Sequence, residues 1–131
     1  MDVLLTRPAF QMLEAAVLGG RTAGGGLLLG HKRGGRFIIE KAVPCGPGVF
    51  PGRNVYPRLA IQFGDALVGF YSSSPPKRRE PPPPFSVGKV FLAVKAGPRG
   101  LSRKAFLADY TSRFLWKPLK IASLPKAGLH A

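Results

Sequence analysis

The opening part of the chain spaces its apolar residues as a helix does. Phe10, Leu13 and Val17 recur three and four positions apart, with polar residues between them, and this spacing predicts an amphipathic helix over residues 7–18. Thr6 stands directly before the segment, where its hydroxyl can accept a hydrogen bond from the first turn of a helix. We therefore expect one capped helix near the N-terminus.

Short apolar runs separated by turn residues follow the helix, and they predict strands. The predicted strands cover residues 27–30, 37–43, 59–63, 66–71, 89–95, 105–110 and 113–116, with a short edge at 119–121. Gly34 and Gly35 supply a hairpin turn between the first two strands, and Gly64 with Asp65 supplies a tight turn between the next two. The proline-rich segment 44–57 is expected to be an irregular loop.

Composition indicates a folded protein. The 131 residues include 45% hydrophobic and 10% aromatic side chains, which is enough for one buried core. No apolar run reaches the length of about 18 residues that a membrane span requires, and the N-terminus lacks the pattern of a secretory signal. The single cysteine, Cys45, cannot form an internal disulfide and is compatible with a reducing compartment. We expect a cytoplasmic protein without a membrane partner.

Positive charge is in large excess. The chain has 20 Lys and Arg residues against 6 Asp and Glu, for a net charge of +14. This excess favours a polyanionic partner, because phosphates neutralised by Lys and Arg release counterions. The basic candidates for nucleic-acid contact are Lys77, Arg78, Arg79, Arg99, Arg103, Lys104, Lys117 and Lys120. The cations are spread along the whole chain, so a general role in solubility is the competing interpretation.

The most distinctive segment is an apolar strand pattern that ends in three serines and a proline. The motif Val-Gly-Phe-Tyr-Ser-Ser-Ser-Pro occupies residues 68–75, and the basic cluster Lys77, Arg78 and Arg79 follows it. A strand that ends in a loop is a common place for a binding site, because the rigid strand positions the loop. We therefore regard Ser73 and the three basic residues as candidate binding residues.

The serine segment resembles the zinc-binding motif of the JAB/MPN (JAMM, Mov34) metalloprotease family, in which two histidines flank a serine. Ser72 and Ser74 stand where the histidines would be, and Ser73 matches the serine between them. The resemblance implies an α/β (α+β) fold, with a mixed central β-sheet and an N-terminal helix. It would form one domain over residues 1–124, followed by a basic tail at residues 125–131.

The resemblance also implies that the metal chemistry has been lost. The family's general-base glutamate falls on Ala23, and its zinc-binding aspartate falls on Lys89. Zinc requires about three protein ligands from His, Asp, Glu or Cys, whereas serine hydroxyls are neutral and the Lys89 ammonium would repel a cation. His31 and His130 lie in a predicted turn and in the tail, where they cannot replace the missing pair. We expect no metal, no cofactor and no catalytic residue.

The leading hypothesis is therefore a catalytically inactive JAB/MPN-like domain that acts as a protein-binding or scaffolding module. Inactive members of the family work in larger assemblies, which implies a homo- or hetero-oligomer. Two alternatives stay open, namely a basic nucleic-acid-associated protein and a residual JAMM-type metallo-isopeptidase or peptidase. A serine hydrolase that uses Ser72, Ser73 or Ser74 would need an adjacent base, and the sequence shows no such arrangement.

Overall fold

The computed structural model describes residues 2–18, 25–46, 56–73, 82, 86–97 and 100–123. Its elements are β1 (Asp2–Leu5), α1 (Arg7–Leu18), β2 (Gly25–Arg33), β3 (Arg36–Gly46), α2 (Tyr56–Phe63), a 3₁₀ turn (Gly64–Ala66), β4 (Leu67–Ser72), β5 (Val90–Gly97), β6 (Gly100–Tyr110) and β7 (Phe114–Ser123). The predicted tail at 125–131 lies outside these residues. Within them, no helix has the length and apolarity needed to cross a membrane.

The seven strands form a closed barrel in the order β1-β3-β2-β4-β5-β6-β7. β1 closes the barrel, because it pairs in parallel with β3 on one side and with β7 on the other. Val3, for example, lies opposite Phe37 in β3 and opposite Ile121 in β7. β4 and β5 are also parallel, and the remaining neighbours are antiparallel. The four-residue strand β1 thus joins two strands that would otherwise be edges.

The predicted fold class is wrong. The α/β (α+β) arrangement with a mixed central sheet and an N-terminal helix is replaced by strands that close into a barrel. The reason lies in Asp2–Leu5, because four residues directly before a helix cap are too few to show a strand pattern. Without this strand, nothing in the sequence indicates that β3 and β7 share a neighbour. The JAB/MPN resemblance implied the rejected fold, so the barrel contradicts it as well.

The predicted N-terminal helix is confirmed as α1, over the residues expected. The Ala9 N–H donates to the Thr6 hydroxyl oxygen at 3.3 Å, so Thr6 provides the predicted cap. Ala9 and Leu13 are fully buried among the inward-facing side chains of the barrel, which include Leu28 and Leu92. α1 therefore completes the interior core.

The segment predicted as a strand at 59–63 is instead the second half of α2. Leu59 and Phe63, four residues apart, pack together on the outer face of the barrel, whereas Ile61 between them is 87% exposed. One face buried at a spacing of four is the helical arrangement, and a run of five residues is too short to distinguish it from a strand. α2 thus covers an outer cluster that also contains Phe70 and Phe91.

Candidate functional site

The strand that ends in the serine motif is buried along its whole length. Every residue of β4 is buried, because the strand lies between β2 and β5 in the barrel. Its last residue, Ser72, pairs with Gly25 of β2 and with Ala93 of β5. The side-chain oxygen of Ser73 is also buried, and it has no hydrogen-bond partner among the described residues. The serines therefore extend a core strand at one end of the barrel.

The structure does not bring Lys89 to this end. Val90 pairs with Gly69, which places Lys89 near the start of β4, and its Nζ donates to the carbonyl oxygen of Leu67 at 2.6 Å. Burial lowers the pKa of Lys89, and the nearby Asp65 carboxylate opposes that shift. Lys89 precedes Ala93, the partner of Ser72, by four residues, a distance of about 13 Å along a strand.

The other candidates from the serine motif have no described position. Ala23, Ser74, Lys77, Arg78 and Arg79 all lie outside the described residues. The interpretation of Ala23, Ser72, Ser74 and Lys89 as degenerate metal-ligand positions came from the JAB/MPN resemblance, and it loses its basis with that resemblance.

In the described part of the chain, no three His, Cys, Asp or Glu side chains lie close enough together to hold a metal ion. His31 pairs with Glu40 on the exposed β2–β3 hairpin, with 2.8 Å between Nδ1 and Oε1. Glu40 falls in the irregular step of the β2–β3 ladder between Leu29 and Gly30, which allows its side chain to reach His31. This pair is an exposed surface contact.

Strands β5, β6 and β7 bring together basic residues that are distant in sequence. We call the exposed lysines on the outer face of these strands, Lys95, Lys104 and Lys120, the basic surface. The pairing of Ala105 with Leu119 places Lys104 and Lys120 on adjacent strands, each one residue beyond that pair. Asp109 is the one acidic residue in the three strands, and its carboxylate accepts the N–H of Tyr110 at 2.8 Å. The sequence named Lys104, Lys117 and Lys120 as nucleic-acid candidates. The fold groups Lys104 with Lys120, whereas Lys117 is opposite Leu107 and lies on the other face of the strands.

The ladder between β6 and β7 stops before either strand ends. Its last pair is Ala105 with Leu119, after which residues 120–123 of β7 pair with β1. Residues 100–104 of β6 stay paired with β5 on their other side. Among the described residues, nothing pairs with the β7-facing edge of this segment. We call the opening between residues 100–104 of β6 and residues 118–121 of β7 the seam.

A hollow of about 240 Å³ lies in the seam. It is lined by Arg103, Lys104, Ala105, Phe106, Pro118, Leu119 and Ile121. The Arg103 guanidinium turns inward and lies 4.9 Å from the centre of the Phe10 ring of α1, a favourable cation–π distance. Lys104 is exposed. The hollow therefore has a largely apolar lining with cations beside it.

Pro118 lies near the end of the β6–β7 ladder, at a position where a proline is tolerated. The Ala108 N–H donates to Lys89 on the β5 side, so by alternation Phe106 also bonds towards β5 and away from β7. Pro118 lies opposite Phe106, where its missing N–H removes no hydrogen bond to β6. The seam was not foreseen from the sequence. This proline separates the predicted segments 113–116 and 119–121, which the structure joins in the single strand β7.

Comparisons with known proteins identify the fold and no family. No family model and no curated protein matches the chain. Among solved structures, it is similar to the solution structure of protein DSY2949 from Desulfitobacterium hafniense, a structural-genomics target, with 20% identity over 95% of this chain and 94% of that chain and a TM-score of 0.64. The likeness shows the fold alone. With no family model matched and the strands closed into a barrel, the JAB/MPN (Mov34) assignment is wrong.

Proposed function

We propose that this chain is a non-enzymatic binding module that engages an acidic segment of a partner protein at the seam. The observation behind the proposal is the apolar hollow of the seam with Lys104 and Lys120 beside it. An apolar hollow can bury an apolar side chain of a partner, whereas exposed cations attract carboxylates and orient the encounter. The net charge of +14 adds a long-range attraction for acidic partners.

The chemistry of the seam supports binding rather than catalysis. The titratable side chains in its lining are Arg103 and Lys104. Arginine stays protonated in proteins, so it cannot act as a base, and the lining residues that the structure describes include no serine, cysteine, histidine or carboxylate. Lysine acts as a nucleophile or base where a pocket desolvates it, whereas Lys104 is exposed. The same lining suits recognition of an apolar residue flanked by negative charge.

Nucleic acid is the second candidate, and an aromatic pair at the other end of β6 favours it. Tyr110 is 55% exposed, and its ring centre lies 4.8 Å from that of Phe114, beside the exposed Arg113. Exposed aromatic rings beside cations can stack on nucleotide bases. Tyr110 lies seven residues beyond Arg103, or about 23 Å along the strand. The two candidate surfaces are therefore separable by mutation.

A titration with two probes tests the proposal. The first probe is a fluorescent peptide that alternates glutamate with leucine, and the second is a single-stranded DNA oligonucleotide. We expect the peptide to bind at low salt, and Lys104→Glu to weaken it at least tenfold. Lys41→Glu makes the same charge change at an exposed position of β3 and should have a much smaller effect.

Three outcomes would count against the acidic-peptide proposal. Failure of the peptide to bind at low salt would refute it. Equal losses in Lys104→Glu and Lys41→Glu would mean that overall charge, not the seam, drives the association. Binding of the oligonucleotide alone, with a loss on Tyr110→Ala, would support the nucleic-acid candidate instead.

A further inference from the structure

The backbone of β6 offers unpaired hydrogen-bonding groups to the seam. Ala108 exchanges hydrogen bonds with the β5 side, because its N–H donates to Lys89 and its carbonyl accepts from Gly88. The β5–β6 ladder has no register shift, so alternate residues of β6 bond to β5 and those between them face β7. Below the last pair at Ala105, the residues that face the seam are Arg103 and Leu101. Their N–H and C=O groups have no strand partner among the described residues.

We propose that an extended segment of the partner protein adds to β6 as a strand along Leu101–Arg103. An unpaired strand edge is a template for such addition, and two N–H and two C=O groups are available here. One apolar side chain of the added segment enters the hollow, and carboxylates on either side contact Lys104 and Lys120. This inference rests on the proposed function and specifies the conformation of the bound partner.

The volume of the hollow fits this role. An engineered apolar cavity of about 150 Å³ accommodates a benzene molecule, and the seam provides about 240 Å³. One leucine or phenylalanine side chain would therefore fit. Because side chains alternate along a strand, residues next to the anchor in sequence point away from the hollow, so every second residue of the added segment can be acidic.

Charge argues against two other occupants of the seam. A second copy of this chain would bring together two molecules of net charge +14 and place their Lys104 side chains near each other. Residues 124–131 of this chain, which follow β7, contain Lys126 and no acidic residue. Neither supplies the carboxylates that the basic surface attracts. An acidic segment from a different protein is the complementary choice.

Backbone-modified peptides separate strand addition from attraction by charge. The probe is the glutamate–leucine peptide. Two control peptides have the same sequence and carry N-methyl groups on every second backbone nitrogen, one on the odd-numbered residues and the other on the even-numbered residues. Each control keeps the charge and the side chains of the probe but cannot donate strand hydrogen bonds along its methylated edge. We expect at least one methylated peptide to bind at least tenfold more weakly, and the Leu101 and Arg103 amides to gain protection from hydrogen exchange with the unmodified peptide.

Paired variants at Arg103 test the same edge from the protein side. Arg103→Pro removes the seam-facing N–H and no β5 hydrogen bond, whereas Arg103→Ala removes only the side chain. We expect the proline variant to bind the peptide at least tenfold more weakly than the alanine variant. If the proline variant fails to fold, the methylated peptides decide the question alone.

Each contrary outcome has a distinct meaning. Equal binding of all three peptides would overturn strand addition and leave the proposed acidic-peptide function standing, whereas no binding of any peptide would overturn both. Tighter peptide binding after removal of residues 124–131 would assign the seam to the chain's own tail. A peptide-free dimer that Arg103→Pro dissociates would assign it to a second copy. Either of these last results overturns the proposal.

Discussion

Asp2 and Arg36 form a bidentate ion pair across the parallel strands β1 and β3. Arg36 Nε donates to Asp2 Oδ1 at 2.9 Å, and Arg36 Nη2 donates to Asp2 Oδ2 at 3.0 Å. The two residues are also register partners, and Asp2 pairs with Lys120 of β7 on its other side. The pair thus holds the strand that closes the barrel at its first residue.

The stability of the barrel should depend on pH through Asp2. The hydrogen bonds from Arg36 hold the pKa of Asp2 below its ordinary value of 3.8. A lowered folded-state pKa gives stability that is present above the unfolded value and is lost as pH falls through the folded value. We expect Asp2→Asn to have a lower thermal midpoint than the natural chain at neutral pH. The difference should shrink below pH 3.8.

Circular dichroism melts across this pH range provide the measurement. Glu14→Gln, which neutralises a carboxylate on α1, serves as the control. The difference between its thermal midpoint and that of the natural chain should not shrink in the same way as the pH falls. A difference for Asp2→Asn that stays constant down to pH 2 would contradict the assignment.

Lys89 should make the free energy of unfolding depend on pH in the alkaline range, because its pKa also differs between the folded and the unfolded chain. Burial lowers its pKa below the ordinary 10.5, so the folded protein releases this proton before the unfolded chain does. The unfolded chain then binds more protons between the two values, and stability from this group rises with pH in that window. We expect the free energy of unfolding of the natural chain, relative to Lys89→Met, to increase as pH approaches 10.5.

Urea unfolding of both proteins at several alkaline pH values would measure this difference. Lys95→Met, at an exposed position of β5, is the matched control. If the difference in free energy of unfolding between the natural chain and Lys89→Met does not change with pH, the Lys89 ammonium is effectively solvated despite its contact with Leu67.

Gly26 should not tolerate a larger side chain. A Cβ atom there would lie 2.6 Å from the ring of Tyr71 and would overlap the carbonyl oxygen of Val43. We expect Gly26→Ala to lower the free energy of unfolding by about 1–3 kcal/mol, because a packed core resists added volume. Gly35→Ala is the control, since a Cβ there meets nothing within 4 Å. Equal unfolding free energies for the two variants would contradict the packing.

Phe91 should contribute much of the stability of the outer cluster. Its side chain is 1% exposed, and its ring centre lies 5.4 Å from that of Trp116. We expect Phe91→Ala to cost about 3–5 kcal/mol, whereas Ile61→Ala, at an exposed position of α2, should cost less than about 0.5 kcal/mol. The single tryptophan of the chain reports unfolding by fluorescence. Similar costs for both variants would argue against this cluster.

Local patterns predicted part of this fold, and non-local pairing determined the rest. α1 was predictable because its spacing and its Thr6 cap are properties of adjacent residues. The β2–β3 hairpin was predictable because Gly34 and Gly35 form its turn. The barrel was not, because closure depends on Asp2–Leu5 meeting strands that begin far along the chain. The seam also depends on non-local pairing, since its position is set by where the β6–β7 ladder ends.

The location of β1 also has a consequence for the order of assembly. Residues 2–5 of β1 pair with residues 120–123 of β7. During synthesis, β1 therefore cannot close the barrel until β7 has emerged. Contacts of such wide separation form slowly, because a long loop must close before they stabilise anything. Until then the edges of β1 and β6 that face β7 in the barrel stay open to other chains. We expect truncation before Lys120 to give an aggregating species rather than a smaller stable barrel.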